Sequence, residues 1–148
     1  MKYLVINGPN LNMLGIREPE IYGKTTYGDL CAYIKSEADE MGDEVEIVQS
    51  NSEGKLIDYI HETYFNGCEG IVINAGAYTH YSYAILDALK AVSGKVPTVE
   101  VHLSDINARD EFRHNSVIRP ACVDMVCGMG VLGYIEAAKR LKDYLDKK

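Results

Sequence analysis

A carboxylate and an imidazole lie two positions apart in Glu100-Val101-His102, at the end of a strand-like apolar run. In a β-strand, residues two apart project from the same face, about 6.6 Å apart along the chain. Glu100 can therefore orient one ring nitrogen of His102 and leave the other available as a general acid or base. The alternative is a strand-end histidine that hydrogen-bonds a backbone carbonyl, and the residues alone leave both interpretations open.

A second candidate group contains Asn10, Arg17 and Tyr22, which share one connecting segment. A guanidinium beside a phenol stabilises the phenolate and lowers a pKa that is ordinarily near ~10, which favours proton abstraction. Alternatively, Tyr22 covers the segment and Arg17 pairs with Glu18 or Glu20 at the surface. The chain contains 11 Tyr, so composition alone favours this second interpretation.

Arginines in a later segment could bind an anion. Arg109 and Arg113 each offer the planar fork of donors that suits a carboxylate. Surface ion pairs with Asp110 and Glu111 are the competing interpretation.

Asn74 opens a polar segment, residues 74–82, after another strand-like run. Its amide and the nearby backbone N–H groups could bind hydroxyl groups or a carboxylate. Helix N-capping by Thr79 or Ser82, with His80 as a surface residue, explains the same residue types and is favoured by the spacing alone.

The elements that must position these residues alternate along the chain. Strand-like apolar runs occupy residues 3–7, 45–49, 70–74, 98–102 and 122–127, and apolar residues at helical spacing predict helices between and after them. The helical pattern covers residues 26–41 and the sets Ile57, Ile60, Tyr64; Ala84, Ile85, Ala88, Leu89, Val92; and Leu132, Ile135, Ala138, Leu141, Leu145. This alternation predicts a parallel sheet with helices on both faces. For its strand order we take 2-1-3-4-5, which the alternation itself does not determine.

In such sheets, ligands bind beyond the carboxyl ends of the strands, where this chain has two unusually long segments. The connections at residues 8–24 and 103–120 are much longer than the roughly 2–6 residues that usually join a strand to the next helix. Their apolar residues argue against disorder, so both segments are predicted to be functional lids or binding loops.

Composition limits the possible functions. The 148 residues fit one domain, and 15 Lys plus Arg against 22 Asp plus Glu give a net charge of −7, which opposes binding to nucleic acid or an anionic membrane. No run approaches the roughly 18 apolar residues of a membrane span, and no secretory signal precedes the first strand, so a cytoplasmic location is expected.

Cofactor motifs are absent from the sequence. It has no G-x-G-x-x-G, no Walker-type Gly-Lys-Ser/Thr, no G-x-S-x-G and no C-x-x-C. The four cysteines are expected to be buried free thiols, and neither they nor the four histidines have the spacing of metal ligands.

Three segments together indicate a family. INGPNLNMLGIREPEIYG (6–23), INAGAYTHYSYAI (73–85) and EVHLSDINARDEFRHNSVI (100–118) resemble the signature segments of the type II 3-dehydroquinate dehydratases. The resemblance implies a flavodoxin-like fold, a homododecamer built as a tetramer of trimers, and cofactor-free conversion of 3-dehydroquinate to 3-dehydroshikimate in the shikimate pathway of aromatic amino acid biosynthesis.

The resemblance also implies roles for individual residues. Tyr22 is the phenolate base that removes the proton at substrate C2, and Arg17, on a mobile lid of about residues 8–24, keeps it ionised. Asn10 helps to stabilise the enolate, while His102, oriented by Glu100, protonates the departing C1 hydroxyl. Substrate contacts are implied for Asn74, His80, Asp87, Leu103, Ser104 and Arg113.

The chain departs from the family pattern at a few positions. The family usually reads Asn-Pro-Gly where this chain has Ala75 in the middle, and Ser-Asn-Ile-His where it has Asp105 and Asn107. These changes put the local turn geometry in question, and Asp105 adds a negative charge near a site for a carboxylate. Asn115 replaces the second residue of the usual His-His.

Other functions on a similar sheet fit less well. A phospho-accepting receiver domain needs paired acids after the first strand and an Asp at the end of the third, where this chain has Asn7-Gly8 and Asn74. A flavin carrier needs a Ser/Thr-rich phosphate loop, which GPNLNML does not supply. A non-catalytic assembly protein would not need the complete set of candidate catalytic residues.

Overall fold

A computed structural model describes residues 1–16, 20, 24–108 and 110–148 of the protein. The predictions made for Arg17, Tyr22 and Arg109, and for part of the lid segment 8–24, fall on residues outside the described part.

The described residues contain five strands in one parallel sheet. The strands are β1 (Lys2–Asn7), β2 (Glu44–Gln49), β3 (Gly70–Asn74), β4 (Thr98–His102) and β5 (Asp124–Cys127). Their order is β2-β1-β3-β4-β5, which confirms the predicted topology and is the order of flavodoxin-like folds. The register pairs Asn7 with Asn74, so the last residues of β1 and β3 lie side by side at the carboxyl edge.

The helices with described bounds are α1 (Tyr27–Glu40), α2 (Glu53–Thr63), α3 (Tyr83–Val92) and α4 (Leu132–Asp146). Side-chain hydroxyls of Thr26, Ser52 and Ser82 accept backbone N–H groups at the starts of α1, α2 and α3. This satisfies donors that have no partner within the helix and fixes where each helix begins. Within the described residues, none of the helices has both the length and the apolar character needed to cross a membrane.

Two apolar clusters cover the two faces of the sheet. Alternate residues of β1 enter different clusters, with Tyr3 and Val5 on one face and Leu4 and Ile6 on the other. The first cluster takes in α1 and α4, and the second takes in α2 and α3. This arrangement confirms the prediction of helices on both faces, because a strand buried on both sides must have helices above and below it.

Some predicted boundaries and core positions were wrong. The fifth strand begins at Asp124 and not at Cys122, because residues 119–121 form a short 3₁₀ helix first. Tyr64, Ala84 and Leu132 were assigned to apolar helix faces but are exposed. Each lies at an end of its helix, with Ala84 and Leu132 in the first turn and Tyr64 just after the last helical residue.

Candidate active site

A cavity opens at the carboxyl edge of the sheet, where the segments after β1, β3 and β4 meet. Seven of the residues predicted from the sequence line it, namely Asn10, Asn74, His80, His102, Leu103, Ser104 and Arg113. Strand order changes direction between β1 and β3, and this is where doubly wound sheets bind ligands. Side chains about 100 residues apart in sequence therefore share one small site.

Glu100 lies directly behind His102. Nε2 of His102 is 2.5 Å from Oε2 of Glu100, and Ser116 Oγ donates to the same oxygen at 2.7 Å. Glu100 is completely buried, and its Oε1 has no hydrogen-bond partner among the described residues. Since the carboxylate holds Nε2–H, it is Nδ1 of His102 that remains to exchange a proton with a ligand.

The backbone of Asn10 is held in an unusual conformation. It is the one described residue other than glycine with a positive φ, at 69°, a region that Asn tolerates better than most residues. Its N–H donates to Oδ1 of Asn51 at 3.0 Å, and Gln49 Nε2 donates to the same Asn51 oxygen at 3.1 Å. Gln49 at the end of β2 and Asn51 just after it therefore fix the turn that carries Asn10 to the cavity.

The segments after β1 and β3 approach each other very closely. A Cβ atom added to Gly8 would lie 2.4 Å from the Ala75 carbonyl oxygen, so only glycine fits at this position. Gly76 adopts a φ of +61°, and an added Cβ there would lie 3.0 Å from the Pro9 carbonyl oxygen. This close approach brings Asn10 and Asn74 to the same cavity.

Asn74 is fixed by buried polar contacts. Its Oδ1 accepts the Gly76 N–H at 3.2 Å, and its Nδ2 donates to the Tyr134 hydroxyl at 3.1 Å. The Tyr134 hydroxyl in turn donates to Oδ1 of Asn7 at 2.6 Å. The alternative of helix capping in this segment belongs to Ser82, whose Oγ accepts the Ile85 N–H, and not to Thr79.

His80 is half-buried at the rim of the cavity. Its Nδ1 donates to the Asn115 carbonyl oxygen at 2.8 Å, which leaves Nε2 as the other polar atom of the ring. Burial, together with the positive charge of Arg113 nearby, lowers the pKa of His80 below its ordinary value. His80 is therefore a neutral hydrogen-bonding group at pH 7.

Among the residues that the structure describes, Arg113 is the arginine that lines the cavity. Its guanidinium lies 4.7 Å from the ring centre of Phe112, and Nε is 3.7 Å from Asp110 Oδ2, which is too long for a strong pair. Nε is buried without a hydrogen-bond partner among the described residues. The planar fork of donors on this guanidinium, at the wall of the cavity, suits a ligand carboxylate.

Asp87 and Asp105 do not line the cavity. Asp87 is exposed on α3, so this chain does not bring it to the other predicted site residues. Asp105 is also exposed, and its Oδ1 accepts the Asn107 N–H at 2.9 Å. Asn could accept the same bond, so this hydrogen bond does not require a carboxylate at position 105.

The described residues offer no site for a metal ion, since no three of their His, Cys, Asp or Glu side chains are grouped closely enough. All four cysteines are free, as predicted, with Cys68 and Cys122 buried and Cys31 and Cys127 only partly so. Burial raises the pKa of the Cys122 thiol, which makes it a poor nucleophile.

Sequence reasoning missed four residues that support the site, namely Asn7, Asn51, Ser116 and Tyr134. A buried Asn at the end of an apolar strand is a detectable signal, because a polar group there needs a partner. The partners themselves are distant in sequence, and no local pattern identifies them.

Comparisons with known proteins extend over nearly the whole chain. The family model described as Dehydroquinase class II matches residues 1–142. A 3-dehydroquinate dehydratase of Caldicellulosiruptor bescii is 58% identical over 145 residues, covering 98% of this chain and 99% of that protein. One from Clostridium perfringens is 56% identical over 148 residues and covers 100% of both chains. The crystal structure of a type II dehydroquinase from Butyrivibrio crossotus has a TM-score of 0.94 at 55% identity, covering 96% of this chain and 97% of the other.

Proposed function

Because the chain belongs to the class II dehydroquinase family, we propose that it dehydrates 3-dehydroquinate to 3-dehydroshikimate in the shikimate pathway, which leads to aromatic amino acids. The observation that carries the proposal is the full-length match to named dehydratases. The cavity adds support, because it combines a guanidinium for a carboxylate with neutral donors and acceptors for hydroxyl groups.

The reaction is an anti elimination through an enolate. Tyr22, kept ionised by Arg17, takes the proton from C2, and Asn10 helps to stabilise the resulting enolate oxygen. The C1–O bond then breaks as His102 gives a proton to the departing hydroxyl, so that a C1–C2 double bond forms and water leaves. Tyr22 and Arg17 lie outside the described residues, and their roles are carried over from the matching sequence segments.

The geometry around His102 suits the acid role. Glu100 accepts from Nε2, so the imidazolium form can donate from Nδ1 while the carboxylate stabilises its charge. We assign the substrate carboxylate and hydroxyl groups to Asn74, His80, Leu103, Ser104 and Arg113. No cofactor takes part in this mechanism, so a chelator should leave the rate unchanged.

The proposal is tested by adding 3-dehydroquinate and following the ultraviolet absorbance of the conjugated enone. Tyr22→Phe removes only the phenolic oxygen, and general bases typically contribute ~10²–10⁴-fold, so its activity should fall by that order. A variant that keeps more than about a tenth of wild-type turnover would exclude Tyr22 as the base. A folded wild-type protein that forms no enone would indicate a binding module of the same fold.

We further propose that the single catalytic domain assembles into a homododecamer, a tetramer of trimers, in the cytoplasm. Support comes from large apolar side chains that one chain leaves exposed, including Tyr81 (59%), Tyr83 (65%) and Phe112 (63%). The exposure of Asp87 also supports the assembly, because an exposed residue with a predicted substrate contact can reach the cavity of a neighbouring subunit. Light scattering near neutral pH should give about twelve times 16.5 kDa, and a stable, fully active monomer would refute the assembly.

A further inference from the structure

Behind the cavity wall, a network of hydrogen-bonded polar side chains lies in the apolar core between the sheet and α4. It links Asn74, Tyr134 and Asn7 by hydrogen bonds of 3.1 and 2.6 Å, and Asn7 Nδ2 lies 3.4 Å from the hydroxyl of Tyr27. Tyr134 is 1% exposed and Asn7 0%, so water does not compete for these bonds. None of Tyr134, Asn7 and Tyr27 lines the cavity.

One backbone group determines which atom donates and which accepts in each hydrogen bond of this network. The Gly76 N–H can only donate, so the Asn74 atom that faces it must be the oxygen, Oδ1. Nδ2 of Asn74 must then face Tyr134, whose oxygen accepts from it. The single hydroxyl proton of Tyr134 is therefore given to Asn7, where the acceptor must be Oδ1.

This direction holds only while Tyr134 stays protonated. Burial raises the pKa of its phenol far above the ordinary value, although the hydrogen bond from Asn74 acts in the opposite sense. Tyr134 is thus a fixed donor and acceptor and does not take part in proton transfer.

The arrangement leaves one polar group of Asn74 for a ligand. Oδ1 is used by Gly76 and one N–H by Tyr134, while the second N–H of Nδ2 has no partner among the described residues. Since Asn74 lines the cavity, this N–H is what it can offer to a ligand oxygen. Without the Tyr134 hydroxyl, the amide could rotate to relieve its unpaired donor, and the N–H would be lost from the cavity.

We propose that Tyr134 is a positioning residue for substrate binding, whose hydroxyl holds the Asn74 amide so that one N–H points to a hydroxyl oxygen of the substrate. This inference rests on the proposed dehydratase activity. It extends the site to α4, an element with no residue in the cavity.

Tyr134→Phe tests the proposal, because it removes the hydroxyl and keeps the ring. We expect KM to rise about tenfold with kcat nearly unchanged, since an interaction made equally in the ground and transition states acts on KM. The pH dependence of kcat should stay that of the wild type. Tyr3→Phe is the matched control, because Tyr3 is 3% exposed in the same apolar cluster but has no part in the hydrogen bonds that link Asn74, Tyr134 and Asn7. This variant should leave KM unchanged.

A double-mutant cycle separates positioning from a general loss of packing. In an Asn74→Ala background, Tyr134→Phe should change kcat/KM by less than about twofold, because its only route to the substrate is gone. Equal effects in both backgrounds would overturn the proposal. If Tyr134→Phe fails to fold, Asn7→Ser removes the acceptor of the Tyr134 proton and should raise KM in the same direction.

The outcomes also separate this inference from the proposed function. An active wild type with unchanged KM in Tyr134→Phe overturns the role of Tyr134 alone. An inactive, folded wild type overturns the dehydratase assignment and this inference together. A crystal structure of Tyr134→Phe should show the Asn74 amide rotated, and an unmoved amide would count against the proposal.

Discussion

Two donors share one oxygen of Glu100, His102 Nε2 at 2.5 Å and Ser116 Oγ at 2.7 Å. Ser116 is one of the residues that the sequence did not reveal, because it is 16 positions away from Glu100 and reaches it only through the fold. The acid assigned to His102 therefore depends on a serine with no contact to the cavity.

We expect Ser116→Ala to lower kcat about tenfold, because a hydrogen bond to a charged group contributes about 1.5–3 kcal/mol and only part of it acts through His102. Steady-state kinetics with 3-dehydroquinate gives the measurement. Ser93→Ala is the control, since its Oγ donates to the Lys90 carbonyl at the far end of α3. Ser116→Thr retains the hydroxyl and should keep most of the activity, whereas wild-type kcat in Ser116→Ala would disprove the dependence.

Contacts between side chains that are close in sequence could be predicted. Contacts between side chains that are distant in sequence and meet only in the folded protein could not. Glu100 and His102 lie two residues apart on one strand, so their contact follows from strand geometry. Tyr134 was missed although it lies on a predicted helix, because Leu132 and Ile135 account for the same apolar pattern. Its role depends on a hydroxyl that meets Asn7, 127 positions away.

At the level of elements, the parallel sheet with helices on both faces followed from the alternation of strands and helices, whereas the order of its strands and the structure of the long segments did not. Residues 103–120 contain three short 3₁₀ helices or parts of them, which no 3.6-residue periodicity reveals. They are held instead by tertiary contacts, such as the Val117 N–H that donates to the Thr79 carbonyl. Such bonds join segments that are distant in sequence, so they become visible only in the folded chain.

The turn after β3 gives a stability prediction. Ala75 has a φ of −77°, close to the value that proline imposes, and Asn74 before it ends a strand, as a residue before proline prefers. The Ala75 N–H donates no backbone hydrogen bond to the described residues. Ala75→Pro should therefore raise the free energy of unfolding by roughly 0.4–1 kcal/mol, because it restricts the unfolded chain.

Chemical denaturation of Ala75→Pro beside the wild type, at equal protein concentration, measures this effect. Ala88→Pro is the contrasting variant, since it places proline inside α3 and should destabilise by about 3 kcal/mol or more. A loss of stability in Ala75→Pro would show that the ring does not fit against Gly8. It would also mean that the backbone of this turn accommodates alanine at position 75 better than proline.

At the scale of the whole molecule, Asp43 joins three parts of the chain. Its Oδ1 lies 2.8 Å from Lys142 Nζ on α4 and 2.9 Å from the amino group of Met1 beside β1. The Asp43 side chain is only 1% exposed, while Lys142 is 31% exposed. Asp43 itself precedes β2, so the pair ties α4 to the end of the sheet opposite the cavity.

This contact makes stability depend on pH in one direction. Burial by itself would raise the pKa of Asp43, but hydrogen bonds and charge from Lys142 and the Met1 amine outweigh it, and the pKa is lowered. A carboxyl with a lower pKa in the folded state binds fewer protons there than when unfolded. Its contribution is complete above the unfolded value of about 3.9 and is lost as the pH falls through the folded value.

Asp43→Asn should therefore reduce the free energy of unfolding at pH 7 by roughly 1.5–3 kcal/mol, the value of hydrogen bonds to a charged group. It should also flatten the fall in stability below about pH 4, because the group that titrates there is gone. Asp124→Asn is the matched control, since Asp124 pairs with Arg140 at 3.3 Å but both side chains are about 40% exposed. Exposed pairs contribute about 0–1 kcal/mol, so Asp124→Asn should change stability less than Asp43→Asn does. Denaturation curves at pH 7 and pH 3.5 should distinguish the two variants. Equal losses of stability in both would show that Asp43 does not hold the sheet to α4.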